Sequence, residues 1–308
     1  MSLAPRAVLV HRRTEYEELL ARHGTHGQAA FFLAARGRSA DEVRERHERT
    51  RRALAAVAGA VPLTWRQTRV ERADLDRFLF GPEDVVVVVG QDGLVANTAK
   101  YLAGQPVVGI DADPGRNAGV LVRHRPADAR RLLPYAAGAG VAADELTMVA
   151  AATDDGQRLL ALNEIYVGPA GHQTARYTLD APVGGGRERG GAEGGAPEAQ
   201  ASSGVLAGTG TGATGWLRSL WQQRSSGLAL PGPAEPRLAW FVREAWPSPT
   251  TGTSRVEGLI GPGQGLRLTV ESDRLVAFGD GVESDALDLT WGQTVRLTVA
   301  DTRLRLVG

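Results

Sequence analysis

The sequence contains no cysteine among its 308 residues. Disulfides and thiolate metal sites are therefore excluded, which fits a reducing compartment. Lysine is almost absent: Lys100 is the only one, and arginine supplies the other basic side chains. A GC-rich coding sequence produces that bias without any physical role for it. There is no charge excess either, because 35 basic residues balance 35 acidic ones. No basic field argues for nucleic acid, and no acidic tail argues for a solvated arm. No apolar run approaches the roughly 18 residues of a membrane span. The opening stretch MSLAPRAVLVHRRTEYEELL turns charged too early for a signal peptide. Together these absences predict a cytoplasmic protein with neither a membrane nor a nucleic-acid partner. Nor do the histidines suggest a metal: His11, His47, His124 and His172 lack ligand spacing, and His23 and His26 read as loop residues. What is present is ordinary for a globular chain, 43% hydrophobic and 23% charged, long enough for one large or two ordinary domains.

Strand and helix signals alternate in the first part. Ala7 to His11 reads as a strand, Glu15 to Arg22 as a short helix, Ala40 to Ala60 as a long one and Val61 to Val70 as a second strand. Val85 to Val89 has no alternation at all, the pattern of a central strand covered on both faces. Pro106 to Ile110 is the next buried strand. This order predicts an α/β domain with a doubly wound parallel sheet over residues 1–136. After about Tyr135 short strands dominate, several alternating, as in Leu266, Leu268 and Val270 against Arg267, Thr269 and Glu271. Residues 137–308 are therefore expected to form a β-rich, sandwich-like domain with one helical stretch, Ala213 to Arg224. Within it, Gly184 to Gln200 is glycine-rich, lacks apolar anchors and reads as a flexible insertion.

Three distant stretches carry chemistry. In the first, the buried strand runs into Gly90-Gln91-Asp92-Gly93, with a helix expected to start near Asn97. Such a turn lets backbone approach a ligand, a helix N-terminus favours phosphate, and an aspartate at the carboxyl end of a parallel strand sits where open α/β sheets bind ligands. Glycines needed only for backbone geometry are the plainer reading. In the second, Asn163 and Glu164 interrupt the apolar run LALNEIYVG. A buried carboxylate is costly unless paired, so these residues mark either a site or merely a strand end. In the third, Gly208-Thr209-Gly210-Thr211-Gly212 lies between strand and helix, with Thr214 in the first helical turn. Free N–H groups and hydroxyls there suit ribose and phosphate oxygens, and a flexible turn with Thr211 as N-cap is the alternative.

In this order the three stretches resemble the NAD kinase family, which carries a Gly-Gly-Asp-Gly-Thr loop, an Asn-Glu pair and a Thr-x-Thr-Gly turn leading into a helix. SSG before GTGTG, FVRE at Phe241 to Glu244, GIDADPGRNAG at Gly109 to Gly119 and the arginine-rich helix around Glu45 to Leu54 are similar to the mitochondrial-type branch and its bacterial relatives. The resemblance covers nearly the whole chain. It implies an NAD-kinase-like two-domain fold and ATP-dependent phosphorylation of the adenosine ribose 2′-hydroxyl of NAD or NADH, with Mg²⁺, in a cytoplasmic homodimer that makes NADP(H). It further implies that Asp92 accepts the hydroxyl proton as the catalytic residue. Asp92 would also help organise Mg²⁺ and the donor phosphates beside Gly90, Gln91 and Gly93, with Asn163 and Glu164 at the NAD ribose and adenine and Thr209, Thr211 and Thr214 along the dinucleotide. Asn97 is a further candidate at the start of the next helix. Trp216 holds the place of an aromatic near the adenine. All three stretches are expected to meet in one crevice.

This sequence departs from the family loop at two positions: Gln91 replaces a glycine and Leu94 replaces a threonine. Loss of a charge-assisted hydrogen bond costs about 1.5–3 kcal/mol, enough to slow phosphoryl transfer severely. Asn97, Thr98 or Lys100 could compensate from the start of the next helix. The departures keep open an NAD(P)(H)-binding sensor of the same fold without turnover. A lipid kinase of the diacylglycerol kinase superfamily shares the loop, but the Asn-Glu pair, the GTGTG turn and the lack of a basic amphipathic stretch speak against it.

Overall fold

A computed structural model describes residues 4–116, 118–138, 140–182 and 196–308. The chain divides into two compact units, Met1–Asp144 with Arg305–Gly308, and Glu145–Leu304. The expected boundary at 136/137 thus lies eight residues later, and the C-terminal residues rejoin the first unit. Their short strand resembles any other, so nothing local in the sequence announces the return.

The first unit is built on a six-stranded sheet. Its strands are β1 (Arg6–His11), β2 (Arg66–Glu71), β3 (Asp84–Gly90), β4 (Pro106–Asp111), β5 (Ala143–Leu146) and β18 (Leu304–Val307), in the order β2-β1-β3-β4-β18-β5. The pairs β1/β2, β1/β3, β3/β4 and β4/β18 are all parallel. Val85 to Val89 are buried throughout. On one face Leu9, Val85, Val87 and Ile110 pack with Leu54 and Val57 of α3 (Ala40–Ala60) and Leu132 and Leu133 of α5 (Ala129–Ala136). The alternate residues Val8, Val10, Val86 and Val88 are equally buried, and α4 (Asp92–Ala99) packs against β3. Burial on both faces is why the sequence of β3 does not alternate.

Before α3 come α1 (Glu15–His23) and α2 (His26–Ala34). Thr14 and Glu17 form a capping box on α1. Leu19, Ala29, Leu33 and Val43 join the three helices in a small core. The stretch at His23 and His26 is therefore helical and not loop. His26 opens α2, and its Nδ1 lies 3.0 Å from the Tyr16 hydroxyl.

The second unit consists of two antiparallel six-stranded sheets. One runs β10-β9-β14-β17-β6-β7, the other β13-β12-β11-β8-β15-β16. The first uses β6 (Val149–Thr153), β7 (Arg158–Ala161), β9 (Ala175–Asp180), β10 (Glu198–Ser202), β14 (Leu266–Val270) and β17 (Thr294–Val299). The second uses β8 (Glu164–Gly168), β11 (Val205–Gly208), β12 (Leu238–Val242), β13 (Glu257–Ile260), β15 (Arg274–Gly279) and β16 (Val282–Thr290). Val149, Tyr177, Leu268 and Leu297 from one sheet and Ile165, Val205, Trp240 and Leu275 from the other form a single core. α6 (Trp216–Gln223) covers the outer face of the second sheet, where Leu217 and Leu220 meet Tyr166, Leu206 and Phe241.

The expected insertion 184–200 is shorter at its C-terminal end. Residues 184–195 lie outside the described residues, but Glu198–Gln200 open β10, which pairs antiparallel with β9. Gln200 is buried: it accepts from the Tyr177 hydroxyl at 3.2 Å and donates to the Arg255 carbonyl at 2.8 Å. A glutamine with both ends satisfied can sit in a core strand, which composition alone does not disclose.

Candidate functional site

In the first unit, Gly90 ends β3 and exposed Gln91 occupies the N-cap of α4 without a side-chain capping bond. The helix begins at Asp92, five residues earlier than expected. An acidic residue in the first turn suits the helix dipole, and Gly93 is part of the helix and not of a loop. The earlier start moves the supposed compensating groups away from the N-terminus. Asn97 Oδ1 accepts from Arg72 Nε at 2.7 Å, the Thr98 hydroxyl donates to the Leu94 carbonyl at 2.7 Å, and Lys100 is buried. Asn97 and its neighbours thus lie in the second half and at the C-cap of α4, not at its start. Leu94, 3% exposed, fills space where a hydroxyl was expected.

Asp92 has a definite structural task. Its Oδ1 accepts the N–H groups of Leu121 and Val122 at 2.8 and 2.9 Å, and its Oδ2 accepts that of Val120 at 3.1 Å. The carboxylate thus pins the 120–122 segment after β4 to the start of α4. Beside this loop, at the carboxyl ends of β1, β3 and β4, lies a cavity of about 430 Å³ bordered by Gly90, Gln91, Arg12, Arg46, His47 and Arg116. Strand order changes direction between β1 and β3, the place where open α/β sheets bind ligands. None of these arginines, nor His47, was singled out as a site residue: His47 read as a lone histidine, and Arg46 and Arg116 entered only within segments that carry the family resemblance.

The second unit brings the other two stretches together. β7 and β8 belong to different sheets, so Leu162 and Asn163 are the corner at which the chain crosses between them. That corner explains two polar residues inside an apolar run. Asp280 holds it, accepting from Leu162 N at 2.8 Å and Asn163 N at 2.7 Å, while its own N–H donates to the Glu164 carbonyl at 3.1 Å. Asp280 and Gly281 both have positive φ, 53° and 67°, in the two-residue turn between β15 and β16. Asp-Gly is a strong hairpin signal, so the turn was readable, but its bond to a residue more than a hundred positions away was not.

The threonine turn lies directly on this corner. Thr209 N donates to the Asn163 carbonyl at 2.8 Å and its hydroxyl to the Leu162 carbonyl at 2.6 Å. The same hydroxyl accepts from the N–H groups of Thr211 and Gly212. Thr211 precedes a 3-10 turn, Gly212–Thr214, but makes no side-chain cap. Its hydroxyl is buried without a hydrogen-bond partner, whereas the exposed Thr214 donates to the Thr211 carbonyl at 3.0 Å. Close approach dictates two glycines here. A Cβ on Gly210 would lie 2.1 Å from the carbonyl carbon of Gly232, and one on Gly212 would lie 2.3 Å from the Asn163 oxygen.

Glu164 shares this environment, and burial together with the negative charge of Asp280 pushes its pKa up to about 8. At neutral pH it is mainly a protonated acid that can donate a hydrogen bond. Trp216 stacks on Tyr166 with ring centroids 5.6 Å apart and 25° between planes, and the Arg243 guanidinium lies 5.3 Å from its ring centre. These three residues border a cavity of about 480 Å³ on the outer face of the second sheet.

Neither a protein-family model nor a curated protein matches the chain.

Among the described residues no group of three or more histidine, aspartate or glutamate side chains could hold a metal ion. The Asp92 carboxylate already accepts three amide donors. No helix among them is long and apolar enough to cross a membrane.

Proposed function

We propose that the chain is an NAD kinase-like phosphotransferase with the two-domain fold of that family. The observation that carries this reading is the hydrogen bonding of Thr209 to the carbonyls of Asn163 and Leu162, which joins the Asn163-Glu164 stretch to the threonine turn some forty-five residues on, both of which the family resemblance assigns to the dinucleotide. The orphan Thr211 hydroxyl and the protonated Glu164 offer polar groups for ribose and base. In the reaction, the 2′-oxygen of the NAD(H) adenosine ribose attacks the terminal phosphorus of ATP. The bond from that phosphorus to the bridging oxygen breaks, ADP leaves, and the hydroxyl proton passes to Asp92. Phosphoryl transfer demands chiefly positioning and charge stabilisation, which the loop and the nearby arginines can provide.

One observation favours a second reading, an NAD(P)(H)-binding sensor without turnover: the Asp92 carboxylate already accepts three backbone N–H groups. An NADP(H)-forming assay with NAD and NADH, using ATP or polyphosphate as donor, separates the two. Product with either donor supports the kinase. Saturable NAD(H) binding with no product from any combination replaces it with the sensor.

A further inference from the structure

The outer face of α2 departs from what a surface helix carries. No residue from His26 to Ala35 is an acid, a lysine or an arginine, and a helix apolar all round is normally covered on every side. Ala29 and Leu33 are indeed buried in the small core with α1 and α3. Gln28 and Phe31 face outward, and Phe31 is 79% exposed. An open groove of about 600 Å³ runs along this face, walled by the last turn of α1 and by α2. A Cβ on Gly27 would meet nothing within 4 Å, so packing within the chain does not demand the small residue at the groove wall.

The groove carries charge of one sign. Arg22 and Arg36 line it, no acid does, and among the described residues neither arginine pairs with a carboxylate. Glu15 and Glu18 of α1 border the cavity beside Gly90 instead, and Glu15 is already engaged by Arg38 and Arg46. The Arg36 guanidinium lies 3.8 Å from the centre of the Phe32 ring and donates to the Phe32 carbonyl at 3.1 Å. His23 lies against the same ring at 4.5 Å, and its Nε2 is buried without a hydrogen-bond partner. Phe32 is therefore fixed, and Phe31 beside it stands free. Aromatic and arginine side chains are those that protein interfaces favour. A second copy of this chain, docked by a two-fold axis, would set the same unpaired arginines against each other. A lipid surface is held by a broad apolar face or a cluster of several basic residues, whereas this groove is concave and supplies two arginines.

We propose that this groove docks an acidic amphipathic helix of a partner protein, whose apolar side chains seat on Phe31 and Phe32 and whose carboxylates meet Arg22 and Arg36. A helix laid in a groove is held by apolar anchors along one face, and charges at the rim select the partner. Guanidinium forks pair with carboxylates bidentately, which fixes orientation as well as sign. The groove shares no lining residue with the cavity beside Gly90, and the docking does not rest on the phosphotransfer reading.

Fluorescence anisotropy of the intact protein with labelled synthetic peptides of about 15 residues, long enough to form a helix, tests it. The acidic peptides carry glutamate on one face and leucine, phenylalanine or tryptophan on the other, and each has a counterpart with lysine for glutamate. At least one acidic peptide should bind with a Kd of about 10 μM or tighter and weaken with salt, and its lysine counterpart should bind at least about tenfold more weakly. Phe31→Ala should weaken that peptide at least about tenfold with an unchanged melting temperature, because the ring is exposed. Leu63→Ala, at a side chain still more exposed but outside the groove, should leave affinity unchanged. If Phe31→Ala shifts the melting temperature, Arg22→Glu serves in its place, weakening the acidic peptide at least about threefold and tightening the lysine counterpart. The proposal is overturned if no acidic peptide binds, if the lysine counterparts bind as tightly, or if Leu63→Ala weakens binding as much as Phe31→Ala. It is overturned equally if Phe31→Ala abolishes a concentration-dependent dimer in sedimentation, which assigns the groove to a second copy. Loss of binding to phosphatidylserine vesicles in that variant overturns it in favour of a membrane. No nucleotide enters these measurements, so failure here leaves the phosphotransfer reading standing, and a negative NADP(H) assay leaves the groove standing.

Discussion

The loop at Asp92 and the corner at Asn163 look alike in sequence, each a few polar and glycine residues breaking an apolar run, yet they are built differently. At Asp92 the side chain does the holding: one carboxylate gathers three N–H groups of a neighbouring segment, and the adjacent Gly93 has open space around the position of its missing Cβ. At Asn163 the residue is held by its main chain: the Asp280 carboxylate, from a distant hairpin, and Thr209 bond the backbone of Leu162 and Asn163, and the glycines are forced by contact. The teaching is that a conspicuous carboxylate can be a fastener, and a bland glycine can be the residue that cannot change.

Substitutions that exchange these roles put the contrast to the test. Asp92→Ala removes the acceptor for three amides and should have the largest effect, a loss of about 3 kcal/mol in denaturant unfolding, given about 1 kcal/mol or more for each partner left unsatisfied. An unchanged midpoint would show that the 120–122 segment is held by something else. Gly212→Ala should follow at about 2 kcal/mol, since a methyl 2.3 Å from a carbonyl oxygen must displace the corner. Gly93→Ala, helical and unobstructed, should be neutral or stabilising by up to about 1 kcal/mol. If both glycine variants behave alike, the distinction between forced and free glycines fails.

Glu164 sharpens the comparison through pH. Its folded pKa is raised, so the folded protein keeps a proton that the unfolded chain releases. Stability from this group is full at acid pH and is lost as pH rises from the ordinary glutamate range through about 8. Glu164→Gln should flatten that part of the stability profile, read from unfolding midpoints at several pH values. A slope equal to that of the parent protein would assign the titration to another group.

Much of the architecture was legible because burial writes itself plainly into apolar periodicity. The five consecutive valines of β3 implied cover on both faces, and α3 spans the Ala40–Ala60 stretch its composition indicated. The alternation of β14 matches its pattern of buried Leu266, Leu268 and Val270. Less legible were features that depend on partners far away in the chain. Gly93 suggested a loop but lies in a helix, because glycine is only a weak breaker when the following residues are buried. Of the candidate site, the proximity of Asn163 to Thr209 was anticipated in kind, whereas Asp280 and the arginines around the 430 Å³ cavity were not. A side chain's neighbours come from topology, and topology here passes through strand orders that no local window contains.

The return of β18 to the parallel sheet has a consequence for synthesis. During translation β4 emerges with one edge bare, and it acquires β18 only after nearly two hundred further residues have left the ribosome. Until then its unpaired amides are a template for stray strands, the hazard every open sheet edge presents. The nascent polypeptide must therefore complete its first-made domain last.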